Sequence, residues 1–272
     1  MTTADIIALF RLPPGEASAY LANRTGIEVT YDWAQLWQDE HALAFTVSRL
    51  ARADILDALY KGIEASVAGD MSRRDWTKSA TELLKKEGWW GENIVPVGTL
   101  GDTVTTVFNS RRVGFIFDTN ITTAAAAGRW ERLQSTKATY PYLTYKTRED
   151  GRVREEHAAW NNITLPIDHA FWQTHYPPNG WRCRCFVLPM RQKEVDADPN
   201  LITTAPPLEY VGWANQYTGL TEQVPKGIDP GWAYNAGIAG ERAKALAATE
   251  QTKLAQWHPA VAAQYRADKD GR

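Results

Sequence analysis

Apolar residues recur at helical spacing in the first part of the chain. From Trp33 they return every three or four positions as far as Ile63, which predicts one long helix or two helices placed end to end. A further helix is predicted to begin at Ser72, a good N-cap residue, and to end before Gly88. Residues 1–94 are therefore predicted to form a helical N-terminal region.

Short β-branched and aromatic runs replace this pattern in the middle of the chain. These runs predict four strands, at residues 103–108, 113–117, 142–146 and 185–190. The Asp150-Gly151 pair is a good hairpin turn and is predicted to join residues 142–146 to residues 152–157.

An Ala-rich stretch interrupts these runs between Asn120 and Leu133. Its composition predicts a helix, and the short polar side chains of residues 118–120 are predicted to cap its N-terminus. Residues 95–190 are therefore predicted to form a compact α+β domain with a small, mainly antiparallel sheet.

Proline and glycine dominate the region after residue 190 and exclude long regular elements there. Helical spacing of apolar residues returns between Glu241 and Tyr265. Residues 191–272 are predicted to form an extended C-terminal arm that carries a terminal helix. The fold class predicted for the whole chain is α+β.

The charge of the chain is nearly balanced, with 30 Lys+Arg against 32 Asp+Glu among 272 residues. No global field draws such a chain to nucleic acid, so any contact with nucleic acid must be local. The basic residues that flank the Ala-rich helix could contact phosphates, but a solvated face is the favoured interpretation; they are Arg111, Arg112, Arg129 and Arg132.

No apolar run approaches the ~20 residues of a membrane span, so we expect a soluble chain without a membrane partner. The 12 tryptophans are an unusual number. Because tryptophan is enriched at contact surfaces, this number indicates an assembly partner.

The two cysteines of the chain, Cys183 and Cys185, are separated by one residue. Side chains two apart on one face of a strand stand too far apart for a disulfide, but both sulfurs can reach one metal ion. Structural zinc needs four ligands, and His157, His169 and His175 lie within 28 residues upstream. The alternatives are that the cysteines fill a packed strand, form a redox pair, or act with a histidine in nucleophilic catalysis. A redox pair is disfavoured by the Cys-x-Cys spacing, and no hydrolase signature accompanies the cysteines.

Several ordered stretches of the chain resemble one protein family. They are WQDEHALAFTVSRL (37–50), LLKKEGWWG (83–91), FIFDTNITTAAAAGRW (115–130), REDGRVREEHAAWNN (148–162) and PPNGWRCRC (177–185). Together they resemble the phage Mu F-type minor head proteins of the phage head morphogenesis family, over about residues 15 to 235.

This resemblance implies a minor capsid protein of a tailed phage or prophage, without enzymatic activity. The implied roles are head assembly and DNA packaging or delivery, in association with the portal or the head interior. The implied partners are the portal protein and the major capsid protein, with non-specific contact to packaged DNA. The implied location is the virion head, reached from the host cytoplasm during assembly. Two alternatives stay open: a zinc- or cysteine-dependent enzyme acting on nucleic acid or peptide, and a non-enzymatic DNA-binding protein of the head interior.

The resemblance also implies a zinc site. Many family members carry a Cys-x-x-Cys pair, and Arg154 and His157 stand at about those places here. Only His157, Cys183 and Cys185 carry over directly. The fourth ligand is left open between His175, His169, Asp168 and water. The predicted set of metal ligands is Cys183, Cys185, His157 and His175.

Overall fold

The structure is a computed structural model that describes residues 14–24, 26–97, 102–216 and 218–270. The helices are α1 (Pro14–Ala22), α2 (Ala53–Ala68), α3 (Arg73–Lys86), α4 (Ser110–Ser135), α5 (Glu155–Ala159), α6 (Phe171–Thr174), α7 (Gln192–Ala197), α8 (Ala236–Gln256) and α9 (Pro259–Asp270). The strands are β1 (Gly26–Ile27), β2 (Ala44–Phe45), β3 (Gly91–Val97), β4 (Asp102–Phe108), β5 (Tyr142–Lys146), β6 (Thr164–Pro166), β7 (Phe186–Met190), β8 (Tyr210–Ala214) and β9 (Thr221–Pro225). The α+β class, the small antiparallel sheets and the terminal helical region are confirmed.

The long helix α4 contributes to both hydrophobic cores of the protein. Its N-terminal half packs with α1, α2 and α3 around the fully buried Leu56 and Trp76. Its C-terminal half places Trp130 in the second core, together with the sheet residues Leu143 and Tyr145. The helix is held at its start by Asn109, whose side-chain oxygen accepts a hydrogen bond from the Arg112 amide at 3.0 Å.

The second core is built on a three-stranded antiparallel sheet in the order β6-β5-β7. Tyr145 on the central strand lies opposite Val187 and is fully buried. Its hydroxyl donates to the side-chain oxygen of Asn179 at 3.0 Å, which satisfies the polar end of the ring. This bond ties the sheet to the turn that precedes the cysteines.

The segment after β9 returns to the body of the protein and enters both cores. Ile228 and Trp232 pack in the second core, and Ala236 and Ala239 pack in the first. The buried Asn235 caps α8, because its side-chain oxygen accepts from the Gly237 amide at 2.9 Å. The proline- and glycine-rich C-terminal region therefore helps to stabilise the elements that precede it.

Several sequence predictions are wrong in detail. Between Trp33 and Ile63 the α-helical structure is limited to α2. Trp33–Gln35 and Gln38–Ala42 form short 3₁₀ helices, and the Asp32 amide donates a hydrogen bond to the Gln35 side-chain oxygen at 2.9 Å. Residues 113–117 lie inside α4 and not in a strand, since the helix buries them against α2 and α3. Residues 118–120 are therefore interior to α4 and do not cap it.

The predicted hairpin after Asp150 is also wrong. Residues 155–159 form α5, and β5 pairs instead with β6 and β7. The predicted boundaries of α3 and of the strands at 103–108 and 142–146 are confirmed within a residue or two, and Ser72 accepts the Asp75 amide at 3.1 Å as its cap. No described helix is both long and apolar enough to cross a membrane.

Candidate metal centre

His157, Cys183 and Cys185 converge on one point. The Nδ1 atom of His157 lies 3.7 Å from the sulfur of Cys183 and 3.5 Å from the sulfur of Cys185. The three ligand atoms all lie within 4.8 Å of one another. His157 is buried and both cysteines are partly buried. Among the described residues, this is the group of side chains that could hold a metal ion.

The cysteines lie in an extended segment that begins after a tight turn and leads into β7. The Cys183 amide donates to the Gly180 carbonyl at 3.1 Å, which closes the turn. A side chain at Gly180 would place its Cβ 2.3 Å from an Asp229 oxygen, so only glycine fits there. That oxygen accepts from the Trp181 amide at 2.7 Å and from Arg154 at 3.0 Å. The cysteine loop is thus fastened to the C-terminal segment.

The orientation of His157 suits a metal ligand. Its Nε2 atom lies 2.9 Å from the carbonyl oxygen of Gly227, which can only accept a hydrogen bond. The proton must therefore reside on Nε2, and the lone pair of Nδ1 faces the two sulfurs. The ring of Trp160 stacks on the imidazole at 5.0 Å and fixes its plane. An imidazole oriented by a backbone carbonyl is the usual arrangement behind a metal ion.

The pKa values of the two thiols are shifted in opposite directions. The pKa of Cys183 is lowered, mainly because the Cys185 thiol donates a hydrogen bond to its sulfur. The pKa of Cys185 is raised by the same bond and by burial. The first thiolate forms readily and the second does not, so a cation placed between the sulfurs would be needed to stabilise both.

The distances fit zinc. A tetrahedral zinc ion bound about 2.3 Å from sulfur and about 2.0 Å from nitrogen separates those atoms by about 3.5 Å, close to the observed spacings. The donor set of one imidazole and two thiolates is also one that zinc prefers. These three residues would hold the ion and leave one position for a ligand from solvent.

The other candidate ligands lie elsewhere. His175 contacts the edge of the Trp160 ring at 4.8 Å and stacks on Phe171 at 4.3 Å, and its Nδ1 atom lies 2.8 Å from the Thr174 hydroxyl. His169 accepts the Phe171 amide at 3.1 Å within its own loop, and Asp168 pairs with Lys137. The structure brings three of the four assigned ligands together, and His175 is not among them.

His175 is expected to make the stability of the protein pH-dependent. Burial lowers the pKa of His175 from 6.5 to about 4. In the unfolded chain the histidine binds a proton near pH 6.5, whereas in the folded protein it binds a proton only near pH 4. The free energy of unfolding therefore decreases as the pH falls through this window. Between about pH 7 and about pH 5 this single group lowers the free energy of unfolding by about 2 kcal/mol.

Urea unfolding of wild type and His175→Phe at the two pH values measures this effect. Phenylalanine keeps a ring between Phe171 and Trp160 but cannot be protonated. The variant should lose about 2 kcal/mol less than wild type on acidification. Equal losses in the two proteins would show that His175 is not the group responsible.

The group formed by His157, Cys183 and Cys185 opens into a pocket of about 210 Å³ with an arginine-rich wall. The arginines of this wall are Arg148, Arg152, Arg154, Arg182 and Arg184. Arg184 binds Asp150 through two hydrogen bonds of 2.7 and 2.6 Å, and it holds the pKa of that carboxyl well below its usual range. This wall was not predicted, although arginines on either side of the cysteines are a visible signal in the sequence.

The arginines near the Ala-rich helix have diverse roles. Arg112 is half-buried and donates to the carbonyl oxygen of Ser48, and Arg132 pairs with Glu16 at 3.3 Å. The solvated-face interpretation is therefore wrong for these two residues. Arg111 is exposed and lines a neighbouring pocket.

Comparison with known proteins gives consistent matches. The sequence profile of the family described as "Phage Mu protein F like protein" matches residues 53–188, half of the chain. A protein of Escherichia phage Mu named "Putative capsid assembly protein F" is 35% identical over 257 residues, which are 87% of this chain and 57% of the relative. The "Mu-like prophage FluMu F protein" of Haemophilus influenzae is 29% identical over 233 residues, which are 78% of this chain and 54% of the relative.

The chain thus spans somewhat more than half the length of these curated relatives. No solved structure matches it significantly. The matched range 53–188 includes α2 to α6, the strands β5 and β6, part of β7, His157 and both cysteines. The chain belongs to the family of phage Mu protein F like proteins.

Proposed function

We propose that this chain is a minor head protein of a tailed phage or prophage, which acts in head assembly and in DNA packaging or delivery. Its partners would be the portal protein and the major capsid protein, and its location the virion head. The name of the phage Mu relative, which refers to capsid assembly, supports this role. The proposed role is structural and needs no catalytic residue.

The observation that carries the proposal is an exposed apolar surface on the β8–β9 hairpin. Tyr210 and Val211 on β8 are 53% and 48% exposed, and Leu220 in the turn is 63% exposed. A two-stranded hairpin is marginal in water on its own, and large apolar side chains on its surface are typical of a docking site. We define Leu208, Tyr210, Val211 and Leu220 as the hairpin face, a name that covers both sides of the ribbon because Tyr210 and Val211 alternate along β8.

Tryptophans join this hairpin to the rest of the protein. The Trp213 ring stacks on Trp37 at 5.3 Å and lies 5.4 Å from Trp33, and Trp33 in turn lies 6.0 Å from Trp181. Aromatic pairs at such distances contribute about 1 kcal/mol each beyond their buried area. They would hold the hairpin face in a fixed orientation for a partner.

Particle incorporation tests the proposal. Tyr210→Asp with Val211→Asp places two charges on the hairpin face, and burying a charge at an interface is costly. The double variant should enter purified phage heads at least about tenfold less than wild type, as measured by immunoblot of heads produced in cells that make either protein.

The β3–β4 hairpin supplies a matched control. Ile94 and Val107 are also exposed, at 70% and 44%, so Ile94→Asp with Val107→Asp adds the same charge to a similar surface. This control should enter heads normally. The proposal fails if wild type is absent from purified heads; the choice of face fails if both double variants enter equally well.

We further propose that zinc at His157, Cys183 and Cys185 has a structural role. Two contacts link the site to the C-terminal segment. His157 bonds to the carbonyl oxygen of Gly227, and the Trp181 amide donates to Asp229. An ion there would fasten α5, the cysteine loop and the segment after β9 to one another. Its loss should lower stability without removing any catalytic activity.

A further inference from the structure

Basic side chains concentrate along one side of this nearly neutral protein. Three pockets share wall residues, so they lie side by side in one depressed region of the surface. The pocket along α3 and the pocket between α4 and the cysteine loop share Arg73. The latter pocket and the pocket beside the cysteines share Arg182 and Arg184. We call this depression the basic track.

The first section of the track follows the outer face of α3. Arg73, Arg74, Lys78 and Lys85 line it, at the three- and four-residue spacing that places side chains along one side of a helix. Glu82 is the carboxylate in this wall. Arg74 and Lys78 are exposed and have no ion-pair partner among the described residues.

The middle section lies between α4 and the cysteine loop and has a volume of about 530 Å³. Arg111 and Arg182 are exposed there and, among the residues that the structure describes, neither has a carboxylate partner. Arg182 lies over the ring of Phe115 at 5.4 Å, which keeps the guanidinium at the surface. Asp118 is the carboxylate of this section, and it is already bound to Arg73 by two hydrogen bonds.

The last section is the arginine-rich wall beside the metal centre. Arg148, Arg152 and Arg154 join Arg182 and Arg184 there. Across the three sections, ten basic side chains line the walls together with the carboxylates Glu82 and Asp118, while Arg154 and Arg184 pair with Asp229 and Asp150. Since the whole chain carries 30 basic and 32 acidic residues, the surface outside the track is net acidic.

From this distribution we infer that the basic track binds the phosphate backbone of duplex DNA without regard to sequence. The partner must be a long anion, because the positive charge extends over three joined pockets and is not focused on one. Exposed arginines and lysines on flexible stems suit phosphates spaced along a duplex. The choice of DNA among polyanions rests on the proposed role in the phage head.

The geometry also explains how a nearly neutral protein can bind DNA. The attraction depends on charges within about 10 Å, because salt screens more distant ones. Acidic residues elsewhere on the surface therefore weaken the local attraction only slightly. They would also limit binding to one face, which orients the protein on DNA.

The test is fluorescence-anisotropy titration of a short duplex with the purified chain at several salt concentrations. A track variant combines Arg74→Gln, Lys78→Gln, Arg111→Gln and Arg182→Gln, all at exposed positions. Wild type should bind at low salt and weaken steeply as salt rises. The track variant should bind at least about tenfold more weakly, and its log–log salt slope should fall by about 3 to 4.

A control variant removes the same number of charges outside the track, by Lys193→Gln, Lys244→Gln, Lys253→Gln and Arg266→Gln, also at exposed positions. It should bind DNA like wild type. Equal weakening of the two variants would overturn the proposal, because net charge alone would then account for binding. Absence of binding by wild type at low salt would overturn it as well.

Head incorporation separates this inference from the proposed function. A track variant that fails to enter heads but binds DNA as wild type does would show that the track contacts an acidic head protein, and the DNA assignment would be wrong. Wild type that binds DNA through the track but is absent from heads would leave the track as a DNA site and contradict the role in the head.

Discussion

Replacing Cys183 and Cys185 together with serine is expected to abolish zinc binding and to lower the Tm by about 10 °C. Serine keeps the size of the side chain but is a poor zinc ligand, and His157 alone cannot retain the ion. At free zinc of about 1,000 times Kd, the bound ion stabilises the folded state by about 4 kcal/mol. For a chain of this size each kcal/mol corresponds to about 2 to 4 °C.

Metal analysis and thermal unfolding with and without EDTA measure this effect. Wild type purified with zinc should contain about one ion per chain, and EDTA should lower its Tm to that of the double variant. EDTA should leave the Tm of the variant unchanged, which separates loss of metal from loss of packing. If wild type contains no zinc and its Tm does not change with EDTA, then His157, Cys183 and Cys185 are packed together without a metal ion.

The substitution Gly237→Ala is expected to destabilise the protein by about 3 kcal/mol or more. A Cβ atom at Gly237 would lie 2.2 Å from the Cβ of Trp130, where α8 crosses α4. Neither atom belongs to the far end of a flexible side chain, so the two helices must move apart. Overpacking usually costs about 1 to 3 kcal/mol. A clash between two Cβ atoms, each attached directly to a helix backbone, is expected at or above the upper end of that range.

Urea unfolding of this variant has a matched control in Gly15→Ala. Gly15 lies in α1 with no atom within 4 Å of the position that a Cβ would occupy. Alanine there should raise the free energy of unfolding by about 0.5 kcal/mol, because it lowers the backbone entropy of the unfolded chain. If both substitutions have the same small effect, the close approach of α8 to Trp130 does not exist in solution.

Local signals in the sequence predicted the elements that depend on local chemistry. The boundaries of α3 follow from Ser72 at its start and from two lysines and a glycine at its end, and the structure reproduces them. The strand at 142–146 follows from its β-branched and aromatic side chains. The meeting of His157 with Cys183 and Cys185 was also predicted, from residue types that bind one metal and from family resemblance.

Distant contacts decided what the sequence could not predict. Residues 113–117 have strand-like composition, but burial against two helices keeps them in α4. The sequence could not predict that His175 packs against the rings of Trp160 and Phe171, because the tertiary fold decides these contacts. The basic track combines Arg73, Arg111 and Arg182 from three separate segments. The sequence therefore contains no local run of basic residues that would predict it.

The return of the segment after β9 into both cores has a consequence for biosynthesis. Trp232 and Ala236 are synthesised after α1 to α7, yet the cores to which those helices contribute are incomplete without them. Contacts between residues so far apart in the chain form slowly, because a long loop must close first. A nascent chain that stops before Ile228 would expose apolar surface to chaperones and proteases. Both cores are therefore completed only after the segment that contains Ile228, Trp232 and Ala236 has been synthesised.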